Sequence, residues 1–131
     1  MLLTLALHLI TPATPATDLL PLTEADLNRT QESGCAFSFD QVTKTLLYTI
    51  GRDLMLRTPQ GFALCRFDQA QLDAFTDAKR PLFCGGRTLR LRRTGATHGF
   101  PESDSAGWGA TLTLTNGKTS KTLRGNAGVA C

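Results

Sequence analysis

The sequence predicts a mainly β domain, an antiparallel barrel or sandwich of seven to eight short strands with one or two short helices and two disulfides. Three observations carry that prediction. From Cys35 onward, apolar and polar residues alternate with a period of two through one short run after another. Turn-forming residues separate these runs at short intervals. The four cysteines, Cys35, Cys65, Cys84 and Cys131, lie far apart, without the C-x-x-C spacing of zinc or redox sites, and their even number suits two bridges. A length of 131 residues with 41% hydrophobic content leaves room for one domain with a real core.

The first element is an export signal. Met1 to Ala16 contains the apolar run Leu2 to Ile10 and the small residues Thr14-Pro15-Ala16 that a signal peptidase accepts, although no Lys or Arg follows Met1. The run is too short to span a bilayer. Residues 17–131 are then expected to form a single β-rich domain, and removal of the leader places it in the periplasm or outside the cell, where disulfides persist.

Thr23 can cap a short helix through Glu24-Ala25-Asp26-Leu27, with Gly34 as its stop. Cys35 to Asp40 alternates Cys35, Phe37 and Phe39 against Ser38 and Asp40, the pattern of a half-buried strand. Thr45 to Ile50, Asp53 to Arg57 and Phe62 to Phe67 read as three more strands. Gly51-Arg52-Asp53 and Thr58-Pro59-Gln60-Gly61 supply the turns between them. Asp68 then caps a second short helix whose Leu72 and Phe75 share one face, suited to lie on a sheet or plug a barrel end. Leu82 to Cys84 and Arg87 to Arg93 return to extended chain around Gly85-Gly86. Gly95 to Gly107 reads as an exposed polar loop. Last comes a hairpin, Ala110 to Thr115 and Lys118 to Leu123, closed by a type I′ turn at Asn116-Gly117. Three disulfide pairings are possible; the favoured one joins Cys35 to Cys131 and Cys65 to Cys84.

Charge is unevenly distributed. Residues 1–77 hold five basic groups against nine acids, a balance of −4, and residues 78–131 hold nine against two, a balance of +7. The sharpest candidate for binding is a row of arginines, Arg87, Arg90 and Arg92 with Arg93, expected on the outer face of one strand while Leu89 and Leu91 turn inward. Such a row can meet the phosphates or sulfates of a polyanion, or it can simply keep an exposed strand soluble. Nucleic acid is a poor partner, because no aromatics interleave with the row. Trp108, between Gly107 and Gly109, is a candidate recognition aromatic beside the long loop.

Catalysis has little to work with. His98 is the one histidine outside the leader, and its neighbours Glu102, Ser103, Asp104 and Ser105 belong to the same loop, whereas triads gather from separate rigid elements. Glu102 and Asp104 fall short of the oxygens that calcium wants, so no metal site is expected. There is no H-E-x-x-H, no Gly-rich phosphate loop and no nucleophile elbow, and no cofactor is expected.

Gly34-Cys35-Ala36-Phe37-Ser38-Phe39, Gly85-Gly86-Arg87-Thr88-Leu89-Arg90-Leu91, Glu102-Ser103-Asp104-Ser105 and Ala110 to Leu114 leading to Leu123-Arg124-Gly125 and Cys131 make the chain resemble small exported proteobacterial proteins of unassigned function. That resemblance implies export and a Cys35 to Cys131 bond, and brings no activity. A looser similarity is to the periplasmic and lipoprotein inhibitors of C-type lysozyme, small β-barrels with a disulfide. Their Ser-Gly-x-x-Tyr type loop has no counterpart here, and a basic C-terminal half is ill suited to a basic lysozyme. The reading that follows is an exported, non-catalytic binding or inhibitor module of the bacterial envelope, with an envelope polyanion or a secreted protein as partner. The alternatives are a structural envelope protein without discrete ligand, or a lysozyme-inhibitor-like protein.

Overall fold

A computed structural model describes residues 17–131. The export-signal expectation, residues 1–16, lies outside the described residues. The chain runs α1 (Glu24–Leu27), β1 (Ala36–Gln41), β2 (Lys44–Ile50), β3 (Asp53–Thr58), β4 (Gly61–Arg66), α2 (Gln69–Thr76), β5 (Leu82–Cys84), β6 (Arg87–Arg93), β7 (His98–Phe100), a 3-10 turn (Pro101–Ser103), β8 (Ser105–Asn116) and β9 (Thr119–Ala130). The strands form one antiparallel sheet in the order β4-β3-β2-β1-β9-β8-β6-β5, with β7 added beside β8. That path curls into a nearly closed eight-strand barrel. Alternation explains its interior. Phe37 and Phe39 of β1, Leu54 and Leu56 of β3, Leu89 and Leu91 of β6 and Leu112 and Leu114 of β8 all belong to one buried apolar cluster.

The two ends of the strand path, β4 and β5, meet at a seam that the Cys65–Cys84 disulfide spans with its Cα atoms 6.0 Å apart. The second bridge, Cys35–Cys131, lies one residue beyond the Ala36–Ala130 pair and fastens β1 to the end of β9. Both pairings are the expected ones. At this end of the barrel α2 inserts Leu72 and Phe75 into the core, so it closes the opening. Asp68 starts that helix by a capping box, accepting from the Gln71 amide at 2.8 Å while Gln71 Oε1 accepts from the Asp68 amide at 3.0 Å.

Residues 17–34 wrap the opposite end and one outer face. The Leu20 amide donates to the Arg57 carbonyl at 2.8 Å and the Leu22 amide to the Thr45 carbonyl at 2.8 Å, filling the gap where β2 and β3 diverge. Asp26, on α1, is 1% exposed and pairs with Arg57 at 2.5 Å, and Thr30 Oγ1 donates to Asp53 Oδ2 at 2.7 Å. Met55 points away from the interior by alternation yet is fully buried, because this segment covers the face of β3.

Several boundaries depart from expectation. The first helix ends at Leu27, seven residues short of Gly34, with Asn28 as its C-cap donating its amide to the Glu24 carbonyl at 3.1 Å. The segment 95–107 is not one loop: it holds β7, the 3-10 turn and the start of β8, because β8 continues to Ser105 and offers β7 a free edge. The β8–β9 turn centres on Gly117 and Lys118, with Asn116 opposite Thr119. Only Gly117 of that pair has positive φ, +57°, which is the type II′ requirement and not that of type I′.

Candidate functional site

Three guanidinium groups share one outer face of the barrel. Arg90 and Arg92 occupy alternate, exposed positions of β6, while Leu89 and Leu91 between and beside them turn inward. Register carries the row across the sheet: Arg92 pairs with Thr111 of β8, and Thr111 pairs with Arg124 of β9. Arg90 pairs with Thr113, whose hydroxyl lies 3.0 Å from that of Thr122. Strands are about 4.8 Å apart and alternate residues of one strand about 7 Å. The arginines therefore stand at the corners of a triangle roughly 7 by 10 Å, with threonine hydroxyls between them. Among the described residues the ion pairs are Arg57–Asp26, Arg66–Asp53 and Lys121–Asp18, so none of the three arginines has a carboxylate partner.

Arg87 does not belong to this row. It is 2% exposed, because it shares parity with Leu89 and Leu91 and so enters the barrel. There Nη1 donates to the Asp18 carbonyl at 2.7 Å, under the N-terminal segment, and Nη2 reaches Gln60 Oε1 at 3.5 Å. Its Nε has no partner, and burial pushes the guanidinium pKa down, against the smaller pull of Asp18. Arg93, at the end of the strand, stacks over Trp108 with its guanidinium carbon 4.5 Å from the ring centre and donates to Thr97 Oγ1 at 2.8 Å.

Trp108 is a half-buried residue at one end of the core, packed 6.2 Å from the Phe37 ring between centroids. It is thus in contact with both Phe37 and Arg93. Trp108 and His98 line one hollow of about 330 Å3, with Phe100 and Asn126. A neighbouring depression of about 370 Å3 has Gly107 and Gly128 in its floor and Tyr48, Asp40, Asn126 and Phe100 around it. Glu102 lies on the 3-10 turn, and Asp104 follows it with φ +48°. Among the described residues no side-chain hydrogen bond joins His98 to Glu102, Ser103 or Asp104; Ser103 Oγ instead lies 2.7 Å from Ser105 Oγ. No cluster of three or more His, Cys, Asp or Glu that could hold a metal ion occurs among the described residues. Nor is any helix of the described residues long and apolar enough to cross a membrane.

The structure therefore brings together Arg90 and Arg92 on one face, and His98 and Trp108 in one hollow. It separates Arg87 from the first pair. Sequence reasoning missed Arg124, because the expected last strand stops at Leu123 and the pairing that links β6 through β8 to β9 is long-range. No family model, no curated protein and no solved structure matches this chain.

Proposed function

We propose that the protein is a non-catalytic binding module of an oxidising compartment, the periplasm or the cell exterior, and that it holds an anionic partner on the outer face of β6, β8 and β9. The observation that carries this reading is the set of three exposed arginines, Arg90, Arg92 and Arg124, on one face without carboxylate partners among the described residues. Guanidinium groups bind phosphate, sulfate and carboxylate through paired donors, and the hydroxyls of Thr111, Thr113 and Thr122 add neutral donors between them. The apolar cluster fills the barrel interior, so a ligand is met on the surface and not in a lumen. Two disulfides suit export, because reducing cytosol opens such bonds.

The test is titration with two polyanion probes, heparin and polyglutamate, at low and high ionic strength, with wild type and Arg90→Glu/Arg92→Glu. Wild type is expected to bind at low ionic strength and to lose affinity as salt rises. The double variant should bind about tenfold more weakly or worse, the equivalent of about 1.4 kcal/mol. Equal affinity of the two proteins, or binding indifferent to salt, would overturn the reading.

A further inference from the structure

The upper half of β9 is an open sheet edge. β1 pairs with β9 only from Asn126 to Ala130, where Asp40 faces Asn126. The pairing ends there, and Gly125, the next residue, packs so closely on β1 that a Cβ would run into the Asp40 carbonyl and the Phe39 ring. Thr119 to Arg124 remain paired with β8 on one side and with no strand on the other. The two-residue turn makes Asn116 and Thr119 a hydrogen-bonded pair, and such pairs then alternate along an antiparallel ladder. Ser120, Thr122 and Arg124 therefore direct their amides and carbonyls outward, to the open edge. The Arg124 carbonyl confirms the phase, since it accepts from Gln41 Nε2 at 2.8 Å across that edge. The register gives Ser120, Thr122 and Arg124 no strand partner on that side among the described residues.

The charge beside this edge has one sign. Lys118 and Arg124 flank it without ion pairs among the described residues, and Lys121 is balanced by Asp18 at 2.7 Å. Lysine on an edge discourages pairing with like strands, and a second copy of this chain would bring two sets of these cations onto one ribbon. A strand bearing carboxylates relieves that repulsion. We propose that the free edge of β9, from Thr119 to Arg124, receives an extended acidic polypeptide segment as an added strand. Its backbone would complete the ladder at Ser120 and Thr122, and its acidic side chains would meet Lys118, Arg124 and the arginines of the outer face. The inference rests on the anionic-partner reading and narrows it from any polyanion to a polypeptide.

The experiment uses the oxidised full domain and a short synthetic peptide alternating glutamate and valine, with the lysine-valine peptide and heparin as comparisons. Amide exchange of Ser120, Thr122 and Arg124 is followed by NMR. The acidic peptide is expected to slow exchange at Ser120 and Thr122 by about tenfold or more, and the lysine peptide to leave it unchanged. Ser120→Pro removes an outward amide, costs the β8 ladder no bond, and should abolish both the protection at Thr122 and the peptide binding while heparin still binds. If that variant does not fold, Thr122→Pro removes the neighbouring outward amide and should abolish the protection at Ser120 and the acidic-peptide binding. Binding of the acidic peptide without protection, equal protection by the lysine peptide, or protection that appears with protein concentration alone would overturn the inference and leave the arginine face standing. Failure of heparin and both peptides to bind would overturn both readings.

Discussion

Opening the Cys65–Cys84 bridge by Cys65→Ala/Cys84→Ala is expected to destabilise the protein by about 4 kcal/mol and to loosen the barrel at one seam only. The bridge closes a loop with a sequence separation of 19, and the chain-entropy model assigns such a loop about 3.3 kcal/mol. Cys84 is buried in the core, so losing the sulfur atoms adds about 1 kcal/mol of lost packing. By comparison, Cys35–Cys131 closes a separation of 96, worth about 4.7 kcal/mol in the same model, and Cys35 and Cys131 are both exposed. The two double variants therefore cost similar amounts for different reasons. Denaturant titration gives the stabilities, and both m-values should rise as the unfolded chains expand. Amide exchange separates the causes. Without Cys65–Cys84, β4 and β5 lose the covalent link across the seam and their outer amides exchange faster. Without Cys35–Cys131, the five pairs that join Ala36–Asp40 to Asn126–Ala130 still hold. A cost below about 1 kcal/mol for Cys65→Ala/Cys84→Ala, or unchanged exchange in β4 and β5, would refute the claim that this bridge closes the barrel.

Four further outcomes follow from particular contacts. Arg87→Met should leave polyanion binding unchanged and alter stability by no more than about 1 kcal/mol, because the buried guanidinium has no carboxylate partner to lose; calorimetry and the heparin titration check both. Asp26 has its pKa held well below the usual carboxylate range, first by hydrogen bonding to Arg57 and, more weakly, to Thr23, with burial opposing. A lowered folded pKa means its stabilisation is present above about pH 4 and is lost as pH falls further, so Asp26→Asn should flatten that part of the stability curve in acid titration. Gly125→Ala should cost about 3 kcal/mol or prevent folding, whereas Gly107→Ala, whose Cβ would meet the Ala127 carbonyl at 3.4 Å, should cost little in a thermal melt. Arg93→Ala should remove about 0.5 to 1 kcal/mol with its stacking on Trp108 and shift the tryptophan fluorescence.

Much of the barrel can be read in the sequence where one face is buried and the other wet. Arg87 to Arg93 matches β6 at both ends, and the second helix begins directly after Asp68, the residue expected to cap it. Reading failed where the cause is not local. Arg87 shares parity with Leu89 and Leu91, and the alternation was there to see; its charge argued for water, and the N-terminal segment that covers it comes from 69 residues away. Val42 takes φ +55° in the β1–β2 turn, a conformation that nothing in a β-branched residue announces. β7 depends on the free edge of β8, and Arg124 reaches the arginine face through a turn displaced by one residue and through the long-range pairing of β6 with β8.

The arginine face is tested most directly by resolving the side-chain Nε–Hε signals of the arginines in a two-dimensional NMR titration with heparin. The account predicts that Arg90, Arg92 and Arg124 shift together and saturably while buried Arg87 stays still. Shifts confined to the hollow around His98 and Trp108, or movement of Arg87 with the rest, would contradict it.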